Sequence, residues 1–213
     1  MSGPGGAFDA GCRRCPRLAA FLDQVRRDHP DYHAAPVPPF GDRDPRLLIV
    51  GLAPGLHGAN RTGRPFTGDH AGILLYQALF EAGFGSRPES RSATDRLRLR
   101  GCRITNAVKC VPPGNRPTTA EIRCCNRFLA RELEALGPGR VVLALGRIAH
   151  DAVLRALGLR LSAHPFAHGA EHDLPGALRL IDSYHCSRYN THTGRLTEAM
   201  FQQVMARARR LAG

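Results

Sequence analysis

The stretch RLLIVGLAPGLHGANRTGRPFTGDHAG, Arg46–Gly72, decides the fold. Its opening, Arg46–Leu52, holds the apolar run Leu47–Val50 with β-branched members, too short for a helix and followed by glycine. Such a run reads as a strand buried on both faces. Next come a glycine-rich loop and then AGILLYQALFEA, Ala71–Ala82, whose apolar residues recur at helical spacing. A buried strand, a polar loop and a helix together form the repeating unit of a parallel α/β sheet.

The unit recurs in both directions. Pro16–His29 reads as a helix, and Tyr32–Pro45 as a proline-rich connection. Cys102–Val108 is a second strand, and Thr118–Leu136 a helix opened by the capping box Thr118/Glu121 just after Pro117. Arg140–Leu145 is a third strand, followed after Gly146 by a helix to Leu157. Leu178–Ser183 is a fourth strand, and Arg195–Leu211 a last helix. The expected fold is a single three-layer α/β/α domain over residues 1–213, with a central four-stranded parallel sheet. No internal repeat or low-complexity linker divides it.

Composition narrows the function. Lys+Arg exceeds Asp+Glu by 30 − 18 = 12, and nearly all of the positive charge is arginine, with Lys109 the only lysine. An excess of that size points to a polyanionic partner, with nucleic acid first. Basic clusters lie at 87–100 and 207–210; the second also suits a helix C-terminus. No run of 18 apolar residues exists, so no membrane span is expected. The N-terminal residues lack the apolar core of a signal peptide, so the expected location is the cytoplasm. Seven cysteines in such a chain suggest a metal or free thiols rather than disulfides.

In parallel sheets, ligands bind at the carboxyl ends of strands. Here those ends carry the glycine-rich loop, TNAVKCVPPGNRPT (105–118) and YHCSRYNTHTG (184–194). The first lacks the Gly-Lys-Ser/Thr ending of a P-loop and the spacing of a dinucleotide fingerprint. It does contain an aromatic, Phe66, which can stack on a planar ligand. Asp69 is its only acid, and Asp69 also suits the N-cap of the helix that starts near His70. Cys12 and Cys15 form a CxxC; Cys110 and Cys125 follow the second strand with fourteen residues between them. Four thiolates in two pairs could hold zinc or an iron–sulfur cluster. Cys124 competes for the last place, but Cys125 shares a helix face with Ile122, Leu129 and Leu136 and so points inward.

Together, GLAPG…NRTGRPFTGD, ITNAVKCVPPGNRPT, the four cysteines and HCSRYN resemble the iron–sulfur uracil-DNA glycosylases, from Cys12 to the last helix. The likeness is greatest to family 5, the B-type enzymes. Family 4 carries a Glu after the first glycine of the first motif and usually HPSP in the last; this chain has Leu52 and HCSR. The resemblance implies a [4Fe-4S] cluster on Cys12, Cys15, Cys110 and Cys125, with a structural role. It implies an enzyme acting on double-stranded DNA that excises uracil and further deaminated bases, hypoxanthine and xanthine. No lysine except Lys109 lies near the motifs, so a monofunctional enzyme is expected, and a monomer. By resemblance, Phe66 stacks on the extruded base, Asn106 bonds its Watson–Crick edge, and His185 donates to the base oxygen. Asp69 orients water or stabilises the sugar cation, and Arg188 enters the minor groove near the lesion. Gly51, Ala53, Asn60 and Arg64 complete the candidate substrate-binding set; His57 stays unassigned. Gly55 and Cys186 depart from the family pattern, which favours Ala and Val or Pro there. Other readings are a family 4-type enzyme strict for uracil, a non-catalytic iron–sulfur DNA-binding module, and a zinc hydrolase. The last needs an open metal position, which four cysteine ligands do not leave.

Overall fold

A computed structural model describes residues 8–213. The first seven residues of the expected 1–213 domain lie outside the described residues. In chain order the elements are α1 (Pro16–Asp28), β1 (Phe40–Gly41), β2 (Leu47–Gly51), α2 (Ala59–Thr62), α3 (His70–Glu81), β3 (Cys102–Asn106), α4 (Thr119–Glu134), β4 (Val141–Leu145), α5 (Arg147–Ala156), β5 (Glu171–Leu174), β6 (Leu178–Ser183), α6 (Arg188–His192) and α7 (Glu198–Ala212).

The sheet has the order β1-β3-β2-β4-β6-β5. Its four inner strands, β3, β2, β4 and β6, are parallel, as the apolar runs require. Because successive strand residues face opposite ways, each inner strand feeds two cores. Leu47, Ile49, Leu143 and Ile181 join Leu75, Leu79, Phe201 and Met205 of α3 and α7. Leu48, Val50, Val142, Ala144 and Leu180 join residues of α1, α4 and α5 on the other side, among them Leu22, Leu129 and Val153. Helices on both faces are what make β2 and β4 apolar throughout, while β3 and β6 also carry polar residues such as Asn106 and Asp182.

Two strands extend the expected four. β1 pairs antiparallel with β3, and β5 antiparallel with β6. Neither has an apolar signature: β1 is two residues within a proline-rich connection, and in β5 only Leu174 is buried. Edge strands with one wet face do not need one. The helix starts follow the caps. Thr118 Oγ1 accepts from the Glu121 N–H at 3.2 Å, and the Glu121 carboxylate accepts from the Thr118 N–H at 2.7 Å. Asp69 Oδ1 accepts from the Gly72 N–H at 3.0 Å and opens α3.

The strand register sets up the site. Gly51 of β2 lies opposite Asn106 of β3, and Leu145 of β4 opposite Ser183 of β6. The carboxyl ends of all four inner strands are therefore level, and the loops leaving them meet.

Candidate functional site

Those loops enclose one cavity of about 640 Å3. Phe66, Asp69 and Ala53 come from the loop after β2, Asn106 from the end of β3, Gly146 from the end of β4, and Tyr184, His185 and Arg188 from the chain after β6. Phe166 closes a further wall. The volume lies in the range of ordinary ligand pockets, roughly 300–1,000 Å3.

Backbone geometry explains the glycines. Phe66 has φ +54°, a left-handed conformation that bulky residues rarely adopt. Its carbonyl oxygen then lies so close to Gly72 that any Cβ there would collide with it. At Gly51 a Cβ would come within 2.5 Å of Asn106 Oδ1 and 2.6 Å of the Phe66 ring. Gly51 thus lies beneath the pocket rather than in its wall, and lets Phe66 and Asn106 share the floor. The Phe66 and His185 rings follow one another at 5.9 Å and an interplanar angle of 28°.

Each polar group has an unusual setting. Asn106 is 4% exposed, and its Oδ1 has no hydrogen-bond partner within the protein. A buried unpaired acceptor is costly and points to a ligand donor. Burial raises the Asp69 carboxyl above the usual carboxylate range, against the opposing backbone donors Gly72 and Ala71. Its Oδ1 caps α3, while Oδ2 faces Gly55 and Gly58; Cβ atoms there would stand 3.5 and 2.5 Å from it. Cap and pocket wall are two ends of one side chain. An alanine at position 55 would make only an ordinary contact, so Gly55 leaves a methyl-sized space beside the carboxylate. Burial lowers His185 to about 4, so its imidazole is neutral near pH 7. Its backbone carbonyl accepts from Asn190 Nδ2 at 2.8 Å, which ties it to α6.

Two expected contacts lie elsewhere. Arg64 is buried and spent inside the fold: its guanidinium donates to Asp95 at 2.6 Å, Ser90 at 2.9 Å and the Ala93 carbonyl at 2.7 Å, and covers the Phe40 ring. Arg64 and backbone donors hold Asp95 at about 2 against the effect of burial. Arg64 therefore pins the glycine-rich loop to the basic segment at 87–100 rather than touching a substrate. Asn60 is fully buried and does not line the cavity; its Nδ2 reaches the Leu56 carbonyl at 3.5 Å, and its Oδ1, like that of Asn106, has no partner within the protein. His57 accepts or donates against the Tyr32 hydroxyl at 2.8 Å, outside the cavity. Conversely, Phe166, Tyr184, Tyr189 and Arg195 line the pocket without standing out in the sequence. They sit in irregular segments or short helices, where no periodicity marks them. Tyr189 is 72% exposed beside Arg188 at the rim.

A family model described as "Uracil DNA glycosylase superfamily" matches residues 38–209. The chain belongs to the uracil DNA glycosylase superfamily. Among curated members it is 55% identical to a Type-5 uracil-DNA glycosylase of Thermus thermophilus, over 95% of this chain and 94% of that relative. It is 46% identical to a Type-5 uracil-DNA glycosylase of Pyrobaculum aerophilum, over 95% of this chain and 89% of the relative. A Type-4 uracil-DNA glycosylase of Thermotoga maritima is 33% identical over 69% of this chain and 67% of the relative.

In this member of the superfamily a second, smaller cleft opens between α1 and α4. Cys12, Cys15, Cys110, Cys124 and Cys125 all line it. Burial first and the neighbouring thiols next push Cys110 up to about 12; burial and the hydrogen bond to Cys124 do the same for Cys15. The Lys109 N–H donates to Cys125 Sγ at 3.3 Å. Crowded, desolvated sulfurs with a backbone donor aimed at one of them fit a thiolate-bound metal cluster, whose cations would compensate the sulfur charge. The Lys109 side chain is fully buried against Glu132 at 2.7 Å, and Lys109 does not line the larger cavity.

Proposed function

We propose that the chain flips uracil, and deaminated purines such as hypoxanthine and xanthine, out of double-stranded DNA and hydrolyses the N-glycosidic bond to leave an abasic site. The observation that carries this reading is the convergence of Phe66, Asn106, Asp69 and His185 in one cavity at the carboxyl edge of the sheet. The chain works as a monomer in the cytoplasm, and Cys12, Cys15, Cys110 and Cys125 hold a [4Fe-4S] cluster. Such a cluster would tie the segment before α1, the chain after β3 and α4 together, with a structural role.

The chemistry follows from the side chains. Phe66 offers a face for the extruded base. Asn106 Oδ1 accepts an N–H from the base, and its Nδ2 donates to the adjacent carbonyl. Uracil, hypoxanthine and xanthine share that N–H/C=O edge, whereas cytosine and adenine do not. As the glycosidic bond breaks, negative charge grows on the base oxygen, and neutral His185 donates an N–H to it without giving up the proton. The Asp69 carboxylate faces the opposite charge, on the sugar, and orients the water that attacks it. A cavity of about 640 Å3, with Gly55 rather than a larger residue beside the carboxylate, has room for a purine. That favours the broad lesion range over strict uracil specificity. A non-catalytic DNA-binding module would have no use for the unpaired Asn106 oxygen.

The test is a panel of duplexes, each with a single uracil, hypoxanthine or xanthine, scored for alkali-labile abasic sites. All three should be cut after alkali. Cutting of the uracil duplex alone would restore the strict reading. Borohydride added during turnover should trap no covalent DNA adduct, because the only lysine is tied to Glu132 away from the pocket. A trapped adduct at the position of Lys109 would overturn the hydrolytic mechanism.

Duplex binding should weaken steeply with salt. The net charge is +12, and about six phosphate contacts would make affinity fall roughly 10³-fold between 50 and 200 mM salt. An affinity that salt leaves unchanged would mean that the arginines do not meet the phosphates.

A further inference from the structure

Behind the pocket lies a buried polar cluster that the reaction does not use. Asp182 of β6 is fully buried, and its two oxygens face different imidazoles: Oδ1 lies 2.8 Å from His150 Nδ1 on α5, and Oδ2 lies 3.3 Å from His172 Nε2 on β5. His150 Nε2 donates to the His164 carbonyl at 2.8 Å. The three side chains converge closely enough to hold a cation, but these hydrogen bonds already engage both carboxylate oxygens and both His150 nitrogens. The cluster therefore satisfies itself, and its product is the position of the chain it grips.

That chain is the connection 164–170, which carries Phe166. Besides the His164 carbonyl, the Phe166 ring packs edge-on against His150 at 5.6 Å. Asp182 adds backbone bonds, accepting from the Gly169 N–H at 2.8 Å and donating to the Ala170 carbonyl at 2.9 Å. The Tyr184 N–H donates to His168 Nδ1 at 3.2 Å, and His168 stacks on the Tyr184 ring at 5.1 Å. Phe166 and Tyr184, 6.2 Å apart, form the aromatic wall of the cavity next to His185.

We propose that Phe166 is the specificity-determining wall of the base pocket, and that His150 and Asp182 are the positioning residues that seat it. This rests on the base-excising reading above. The wall bounds the cavity on the His185 side. A small base needs that wall to close the space beside His185 and keep it seated on Asn106, while a purine fills the same space by itself. Loss of the wall should cost uracil more than hypoxanthine.

The experiment measures single-turnover excision of uracil and of hypoxanthine from matched duplexes for wild type, Phe166→Ala, Phe166→Leu and His150→Gln. Phe166→Ala should shift the hypoxanthine-to-uracil rate ratio upward by about tenfold, Phe166→Leu should restore most of the wild-type ratio, and His150→Gln should shift it in the same direction. A purely structural role would lower both rates together and leave the ratio alone. An unchanged ratio in Phe166→Ala overturns the proposal even if His150→Gln fails to fold, since Phe166 is only half-buried. If wild type excises neither base, the functional reading fails instead, and the two failures are distinct.

Discussion

Asp69→Asn should slow single-turnover excision of uracil by about 10²–10⁴-fold while leaving duplex affinity and thermal stability near wild type. The substitution separates two roles of one side chain. Asparagine caps a helix as well as aspartate does, so α3 keeps its first turn and Phe66 its strained seat. What is lost is the negative charge facing the sugar. A wild-type rate for Asp69→Asn would leave the carboxylate as a cap only and pass water orientation to another group. His185→Ala should produce a loss of similar size, since it removes the donor to the leaving base. Phe66→Ala should be milder, because a base–aromatic stack is worth roughly 1–3 kcal/mol.

The pH profile supplies an independent check. The reaction needs Asp69 ionised, and burial has raised its pKa, so the rate should fall with acid from a point above the ordinary aspartate range. His185 must be neutral, and with a value of about 4 it adds no change between pH 5 and 8. In Asp69→Asn the acid limb should vanish. An acid limb near pH 6.5 that disappears in His185→Ala instead would mean that the imidazole titrates as it does in water.

The legible parts of this chain are those where physics acts locally. Leu47–Val50 and Val141–Leu145 announce buried parallel strands, because both faces of each strand must be apolar. Thr118 and Glu121 mark a helix start because a cap is made from neighbours in sequence. Asn106, Asp69 and His185 lie in the three polar segments at strand ends that the sequence marks, and level strands bring those segments together; their chemical roles come from the resemblance, not from spacing. Arg64 misleads for the same reason: it shares the loop with Phe66, yet its partner Asp95 is 31 residues away and invisible to local spacing. Phe166 escapes notice because its seat depends on His150 and Asp182, two residues from other elements. The edge strands do so because pairing on one side imposes no apolar pattern.

The cysteine cleft gives the other large expected effect. Cys125→Ser should abolish visible absorbance, lower iron per chain and reduce soluble yield, whereas Cys124→Ser should keep all three. On α4 the two sulfurs are one residue apart and both reach the cleft, so helix phase alone does not separate them. Their surroundings do. Cys125 is buried and accepts the Lys109 N–H next to Cys110, the environment of a ligated thiolate. Cys124 is half-buried, lies near Cys15 and has no backbone donor aimed at its sulfur among the described residues. A cluster bound a thousandfold above its dissociation constant adds about 4 kcal/mol to the folded state. In a chain of 213 residues that corresponds to roughly 8–16 °C in melting temperature. Cys125→Ser should melt lower by at least that interval, and Cys124→Ser within a few degrees of wild type. Bleaching by Cys124→Ser with Cys125→Ser intact would move the fourth ligand by one residue and make Cys125 an ordinary core thiol.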